Sequence, residues 1–423
     1  MRLLGRDVTQ ILRERDFRLI FGAWSISVFG DFLVPVALAF AVLEVTNSAT
    51  DLGLVLAARV LPIVVFILAG GVWADRLPRQ YVIVASNLVR GTSQAVLGAL
   101  LVLGSARLWE IVALQVVHGA ATAFSRPAGT ALVADVIPPT RLQQANALLF
   151  LAMSVCGIAG PALAGVLVVA AGAGWALVID AATFLSAAAL MARVRVARRV
   201  GAVRRNFRAE LAAGWHEVRR RRWLWSSIGY FAVFQLVNLS TFLVLGPVIS
   251  KETLGGAGAW ALIATAFGVG DVVGNLIALR VEPERPLRAV FVLSFLTVPS
   301  LILLGLEAPA LAIAGTEALG GVAVGYADAV WHSSLQRHVP RQALSRVSAY
   351  DWLGSTALRP IGLALAGPIA VAVGTEATLL GAAGLSATAS LLVLVGGGVR
   401  DVRRIPAEPA EREAVPAALV GSR

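Results

Sequence analysis

The strongest constraint on this chain comes from recurring apolar segments, each about as long as a bilayer's hydrocarbon core is thick. About twelve segments of roughly 20 residues follow one another along the 423 residues. They are continuous apolar runs, whereas barrel strands are about ten residues long with strict alternation, so helices are predicted. The segments lie near 17–45, 50–74, 80–104, 108–136, 145–171, 174–193, 223–249, 258–280, 287–306, 309–336, 345–373 and 376–397.

Composition excludes a set of soluble domains. Hydrophobic residues make up 58% of the chain and charged residues only 14%, whereas soluble domains average about 25% charged residues. The single cysteine, Cys156, rules out an intrachain disulfide and disfavours a metal cluster, and no cofactor is predicted. The first sixteen residues are too charged for a signal-peptide core, so the N-terminus is predicted to be retained.

Cations segregate between alternate loops, and this predicts the orientation. Lys and Arg in short loops stay on the cytoplasmic side. Both termini and the long middle loop carry the cations, so all three are predicted to be cytoplasmic in a plasma (inner) membrane. The net charge of +11 then reflects topology and anionic lipid rather than nucleic-acid binding. The cation-rich segments are those around Arg13–Arg18, Arg76–Arg79, Arg141, Arg193–Arg222, Arg280–Arg288, Arg337–Arg346 and Arg400–Arg404.

Two sequence blocks recur with one offset. The block IPPTRLQQANA from Ile137 and the later GPALAG are matched by VPRQALSRVSA and GLALAG, each 202 residues further on. Two matches in one register predict an internal duplication. The predicted organisation is a cytoplasmic segment 1–16, a six-helix half 17–193, a cytoplasmic linker 194–222, a second six-helix half 223–397 and a cytoplasmic tail 398–423, whose composition predicts disorder.

The linker carries an apolar stripe on a basic background. Phe207, Leu211, Trp215 and Val218 recur at helical spacing, which predicts an amphipathic helix at the membrane interface. A simple connector between the halves is the alternative interpretation.

Three groups of residues resemble the major facilitator superfamily. The stretch GVWADRLPR at 71–79 resembles the loop between helices 2 and 3 of that superfamily. Gly160-Pro161, followed by Gly165, resembles a helix 5 signature found mainly in its exporters. The phrases GDFLVPVALAF and TNSATDLGLVLAARVLP resemble the branch that contains the enterobactin exporter and macrolide efflux proteins. The resemblance covers about residues 16–397.

This resemblance implies a cytoplasmic gate. Asp75, with Gly71, Arg76 and Arg79, is expected to latch the halves by pairing toward the start of helix 11, near Ser345. An ordinary Asp-Arg turn is the alternative. Two departures from the family pattern, a proline at 78 and a glutamine at 80, imply a stiffer loop and a weaker latch.

The helix 5 signature matches the family pattern, whereas an arginine of the family's helix 4 is absent from this chain. Gly160, Pro161 and Gly165 are expected to seal helix 5 against the opposite half, which favours export over import. The arginine that the family carries in helix 4 is replaced by Gln115, and Arg126, about three turns further along the helix, is its candidate substitute.

Ionisable residues inside spans are costly and suggest function. In the family architecture helices 1, 4, 7 and 10 line a central cavity, and Arg126 and Asp328 hold duplicated positions, 202 residues apart. Arg90 and Asp180 are expected to be structural partners on outer helices, and Arg59, Asp271, Asp351 and Arg359 to pair between halves or touch substrate. The predicted cavity and proton-coupling residues are Asp31, Gln115, Arg126, Gln235, Asn238, Asp328 and His332.

These features predict a secondary exporter of small amphipathic molecules (drug, antibiotic, siderophore or other metabolite), a monomer working by proton antiport and alternating access. Asp31 is the predicted proton carrier, because burial favours its neutral form and a nearby Arg126 its charged form; a permanent Asp31 salt bridge is the alternative. A lone mid-span carboxylate also disfavours anionic substrates.

Two other functions were weighed against export. An importer of a sugar or organic acid is the runner-up. A membrane enzyme or receptor is disfavoured because no HExxH, GxSxG or Walker motif is present.

Overall fold

The computed structural model describes residues 11–12, 14–138, 141–195, 214–396 and 398–404. Within these ranges it describes the backbone alone at 67–76, 130–131, 134, 143, 341–342 and 345. The described residues are helices joined by short turns, and none of them is in a strand.

Twelve helical segments follow the predicted spans closely. Three are interrupted: α7 by π-helical turns at Phe234–Leu239 and Ser250–Leu254, α9 by a 3₁₀ turn at Ser294–Thr297, and α11 by a break after Thr356. The segments are α1 Arg15–Thr46, α2 Ala49–Arg76, α3 Arg79–Val102, α4 Leu108–Val136, α5 Leu142–Ala171, α6 Ala173–Met191, α7 Arg222–Leu254, α8 Ala257–Ala278, α9 Pro286–Gly305, α10 Ala310–His338, α11 Arg341–Thr356 with Arg359–Val373, and α12 Thr375–Gly396.

Eleven of these segments are long and apolar enough to cross a membrane. The twelfth, α3, has 24 residues, which at ~1.5 Å per residue also spans a bilayer core. Its hydropathy is lowered by a buried polar face of Ser86, Asn87, Arg90, Ser93 and Gln94. The predicted all-α polytopic fold is therefore confirmed.

Helix packing repeats between the two halves. In the first half α2 packs on α4 and α3 on α6, and in the second half α8 packs on α10 and α9 on α12. Contacts between the halves correspond in the same way, because α5 of the first half packs on α8 of the second and α11 of the second half packs on α2 of the first. This correspondence agrees with the duplication read from the sequence.

Glycines bring the halves together at one end of the bundle. A Cβ on Gly53 of α2 would collide with the Leu363 carbonyl of α11, and a Cβ on Gly367 of α11 would collide with the backbone of Thr50 in α2. These glycines therefore let α2 and α11 pack closely. We call the end opposite the arginine-rich loops the outer end, and these α2–α11 and α5–α8 contacts the outer seal. Lys251 adds a polar contact there, because its Nζ donates to the Leu43 carbonyl at 2.7 Å.

The predicted linker helix is only partly described. Phe207 and Leu211 lie outside the described residues, as do the N-terminal residues 1–10 and the tail from 405. A short helical segment at 214–219 contains a buried Val218, and its Trp215 ring lies 5.8 Å from the ring of Tyr350 in α11. The domain boundaries stay predictions.

Candidate functional site

Asp31 of α1 and Arg90 of α3 form a close ion pair within the first half. Arg90 Nη2 donates to both carboxylate oxygens of Asp31 at 2.6 Å. The guanidinium also lies 3.8 Å from the centre of the Phe184 ring, a cation–π contact that fixes its orientation. The Arg90 side chain is 6% exposed and that of Asp31 is 37% exposed. The pair therefore has one buried member and one member open to the space beside α1.

A chain of side-chain bonds extends from Asp31 through four more residues. Arg59 Nη2 donates to Asp31 Oδ1 at 3.3 Å, and its Nη1 donates to Gln115 Oε1 at 2.9 Å. Gln115 in turn donates to Gln94 at 3.1 Å, and Gln94 donates to Asp180 Oδ2 at 2.7 Å. The bonds connect five helices of the first half, α1, α2, α3, α4 and α6.

Two atoms of this network are buried with no hydrogen-bond partner in the described structure, Asp180 Oδ1 and His118 Nδ1. His118 Nε2 lies 3.4 Å from Arg90 Nε. Most buried polar groups are satisfied, so unsatisfied atoms on two titratable side chains mark a place where a proton can be gained or moved.

Glycine allows the close approach that the network requires. A Cβ on Gly30 would collide with the Asp180 carboxylate, and a Cβ on Gly119 would collide with the Arg59 carbonyl. Larger residues at these two positions would push α1 from α6 and α4 from α2.

Several predicted pairings are corrected by this geometry. The expected Arg90–Asp180 partnership is wrong in its pairing, because Arg90 binds Asp31 and Asp180 binds Gln94. Asp31 is bonded by Arg90 and Arg59 rather than by Arg126, which is exposed and forms no ion pair or hydrogen bond among the described side chains. Arg59 was expected to pair between halves or to touch substrate; its hydrogen-bond partners, Asp31 and Gln115, both lie within the first half, so the pairing between halves is not observed. Arg90 lies on a helix expected to be an outer one, but its long side chain reaches inward to Asp31.

The second half holds its acids differently. Asp328 and His332 are one turn apart on α10 and both are exposed. Asp271 accepts from Asn275 at 3.5 Å in α8. Asp351 accepts from the Trp331 indole at 2.9 Å and from Ser355 at 3.4 Å.

The polar residues of α7 and α11 divide between the protein interior and the boundary of the halves. Asn238 was expected in the cavity, but its side chain is buried and donates to the Thr297 carbonyl and to Ser386, both at 3.4 Å. Gln235 lies in the π-helical turn, with its Oε1 buried and unpartnered in the described structure. Arg359 Nε is in the same situation.

The motif residues of α5 contact both halves. A Cβ on Gly160 would collide with Phe32 of α1, and a Cβ on Gly165 would collide with Ala261 of α8. Pro161 is buried within α5. Gly165 thus lies in the outer seal, whereas Gly160 packs inside its own half.

Only part of the predicted gate is described. Arg79 Nη1 forms a 2.6 Å ion pair with Asp135 at the end of α4. The side chains of Asp75, Arg76 and Ser345 and the surroundings of Gly71 lie outside the description, so the latch between halves stays a prediction.

Three polar residues of the described spans were missed from the sequence as candidates: Gln94, His118 and Glu317. Glu317 is buried in α10 beside Ser300 and stands 202 residues after Gln115, so the duplication register pointed to it. Gln94 and His118 gave no comparable signal. Among the described residues, no group of three or more His, Cys, Asp or Glu side chains is placed to hold a metal.

The sequence and the fold of this chain both resemble those of known proteins. A family model described as Major Facilitator Superfamily matches residues 20–350. Macrolide efflux protein A of Streptococcus pyogenes is 23% identical over 85% of this chain and 90% of its own length. Enterobactin exporter EntS of Salmonella typhi is 26% identical over 92% of this chain and 94% of its own. The fold is shared with the crystal structure of a bacterial homolog to the human lysosomal transporter Spinster in an inward-facing and unoccupied conformation (TM-score 0.69, 15% identity, 93% and 100% covered).

Proposed function

This chain belongs to the Major Facilitator Superfamily and is a multi-pass membrane transporter rather than an enzyme, and from that premise we propose that it exports small amphipathic molecules in exchange for protons. The molecules meant are drugs, antibiotics, siderophores or similar metabolites. The transporter works as a monomer in the plasma (inner) membrane, embedded in lipid, with both termini in the cytoplasm.

The proposal of proton coupling rests on one observation: the Asp31 carboxylate is fully ion-paired, and its side chain is still partly exposed. Its carboxylate accepts three hydrogen bonds from Arg90 and Arg59, yet 37% of the side chain is exposed. Protonation would remove the charge that holds both arginines and would weaken bonds between α1, α2 and α3. Proton uptake at Asp31 is thereby coupled to helix positions within the first half.

Asp180 supplies a second acceptor at the far end of the same bonds. It is buried, reaches Asp31 through Gln94, Gln115 and Arg59, and has one unpartnered oxygen. A proton that displaces Arg59 from Asp31 would loosen Gln115 and so alter the surroundings of Asp180. In this scheme Asp31 takes up and releases the transported proton, and the hydrogen bond from Gln94 to Asp180 changes as a consequence.

Two observations support outward transport. Two relatives are named for efflux or export, and the α5 glycine Gly165 packs against α8 in the outer seal. With the outer end closed, substrate enters from the cytoplasmic side and meets Arg126, Asp328 and His332, which are all exposed. Separation of α2 from α11 and of α5 from α8 would then open the outer path, with the Asp75 latch closing the cytoplasmic one.

The test is transport in proteoliposomes with a chosen pH gradient. Protein orientation is fixed by protease treatment of one population, and uptake of a fluorescent dye such as ethidium is followed with the gradient in either direction. Proton-coupled export predicts dye accumulation on the side toward the protein's outer end, driven by protons moving the opposite way. Accumulation that follows the protons, or that ignores the gradient, would contradict the proposal.

A further inference from the structure

Two arginines lie just inside the outer seal, one on each half. Arg359 precedes Leu363 by about one turn of α11, and Leu363 is the residue whose carbonyl meets Gly53 of α2. Arg59 follows Gly53 by less than two turns of α2. At ~1.5 Å per residue, both arginines start within about 10 Å of one contact between the halves.

Arg359 has no counter-charge. Its Nε is buried without a hydrogen-bond partner, and its guanidinium forms no ion pair or hydrogen bond within the described structure. Only its backbone carbonyl is engaged, by Ser240 Oγ at 3.3 Å. The charged groups that act on it are two further cations, Arg126 and Arg59. An arginine in a span normally pairs with an acid or a carbonyl, so this environment is incomplete.

Arg126 is the second unpaired cation. It belongs to α4 of the first half, its side chain is exposed, and it makes no hydrogen bond or ion pair among the described contacts. Its charged neighbours are Asp31, Arg90 and Arg359, and because Arg359 belongs to the opposite half, Arg126 faces the space between the halves rather than lipid. Arg59 differs from both, since Asp31 and Gln115 already occupy its two terminal nitrogens.

The charge balance of this region is positive. Four arginines, at 59, 90, 126 and 359, lie around the two carboxylates Asp31 and Asp180. Asp31 is bonded to Arg90 and Arg59, and Asp180 to Gln94. No described carboxylate bonds to Arg126 or Arg359, so one or two further negative charges would complete the group.

We propose that Arg126 and Arg359 bind an anionic group, a carboxylate or phosphate, carried by the transported molecule. Guanidinium groups bind such oxyanions bidentately, and a half-desolvated site strengthens the contact. The inference rests on the proposed transport function and names its substrate class as amphipathic anions. It replaces the expectation from the sequence that Asp31 disfavours anions, because Arg90 and Arg59 already neutralise Asp31.

The anion also has a conformational consequence. It would bridge α4 of one half and α11 of the other, directly inside the outer seal, and so cancel repulsion between Arg359 and the two arginines opposite. Once the outer seal has opened, proton uptake at Asp31 from the outer side would rearrange Arg59 and favour release of the anion, so that substrate and proton move in opposite directions.

Binding by the purified full chain in detergent tests the proposal with three probes. These are 2-naphthoate, its uncharged analogue 2-naphthamide, and inorganic phosphate, each measured by calorimetric titration. We expect wild type to prefer 2-naphthoate over the amide by about tenfold or more. Arg359→Gln and Arg126→Gln should each abolish that preference, and Arg359→Lys should restore part of it. Arg288→Gln, an exposed cation in the first turn of α9, is the matched control and should keep the preference.

Three results would overturn the proposal. Equal binding of acid and amide by wild type would remove the anion site, and so would a preference that survives in both glutamine variants. Phosphate binding as tight as that of 2-naphthoate would assign the site to a free anion instead of the transported molecule. Misfolding does not obscure the outcome, because removing an uncompensated charge from a span favours insertion, and amide binding reports folded protein.

The binding result is separable from the proposed function. If the anion preference fails while the wild-type protein exports ethidium against a pH gradient, the function stands and the anion site falls. If the preference is present but neither ethidium, a cation, nor 2-naphthoate, an anion, is exported under a pH gradient, the site stands and the proton-coupled function falls.

Discussion

The two halves share a helix arrangement but differ in how they hold charge inside the membrane. In the first half Asp31, Arg59 and Arg90 are ion-paired and connect through Gln115 and Gln94 to Asp180. In the second half Asp271 and Asp351 accept hydrogen bonds from neutral donors, Asp328 lies one turn from His332, and none of these three acids forms an ion pair in the described structure. A connected ionic network transmits the loss of one charge to several helices, whereas isolated acids with neutral donors do not. The proposed proton coupling is therefore expected to depend on the first half, with a supporting role for the second.

The largest expected effect tests this division directly. Asp31→Asn keeps the shape of the side chain but cannot titrate, so it should abolish accumulation driven by a pH gradient, at least about tenfold, while binding persists. Asp328→Asn, the matched change in the second half, should retain most of the accumulation. Proteoliposomes under an imposed gradient measure both. Equal loss in the two variants would contradict a difference in proton coupling between the halves. Normal accumulation by Asp31→Asn would make Asp328 the next candidate for the proton carrier.

The next effect is on stability. Arg90→Gln leaves Asp31 without its principal partner and empties the position over the Phe184 ring. Breaking a buried pair costs about 3–5 kcal/mol, and the partial exposure of Asp31 places this case near the lower end. Thermal unfolding in detergent, followed by tryptophan fluorescence, should show a clearly lowered midpoint. Recovery in the double variant Arg90→Gln, Asp31→Asn would identify the unpaired charge as the cause.

A smaller loss is expected from the neutral counterpart in the second half. Trp331→Phe removes the indole donor from Asp351 and preserves most of the buried ring. A buried acceptor that loses its donor costs about 1–3 kcal/mol. In the same unfolding assay the midpoint should fall less than for Arg90→Gln. A loss larger than that of Arg90→Gln would show that the second half depends on its acids as strongly as the first.

The smallest effect concerns the cytoplasmic latch predicted from the sequence. Asp75→Asn should shift the resting population toward a cytoplasm-open form by no more than about fivefold, since a charge near a helix end contributes about 0.3–1 kcal/mol. Cysteine labelling from the cytoplasmic side, in a background with Cys156→Ser, would report the shift. Unchanged labelling with unchanged transport would remove the latch from the mechanism.

Several features of the fold followed from the sequence because they depend on local chemistry. The apolar runs located the spans to within a few residues, and the matched blocks at Ile137 and Val339 gave the two halves. Only α3 falls short of the hydropathy of a span, and the reason is its buried polar face. That face carries Arg90 and Gln94, so the weakest span by hydropathy contributes most to the network.

The partners of charged residues did not follow from the sequence. Assigning Arg90 to an outer helix was reasonable from helix order, but α3 packs on α6 and α4, and the long side chain reaches Asp31 past Phe184. The expected cavity position of Asn238 failed for a similar reason, because the π-helical turn at Phe234–Leu239 rotates residues relative to a regular helix.

By itself the sequence determined that this protein lies in a membrane as two related sets of helices, because hydrophobic length and charge distribution act segment by segment. Tertiary structure alone decided that Asp31 is held by Arg90 and Arg59 while Arg126 and Arg359 lack acidic partners. The physical reason is that an ion pair depends on distances of a few ångströms between helices far apart in the chain, and those distances are set by packing at residues such as Gly30, Gly119 and Gly53.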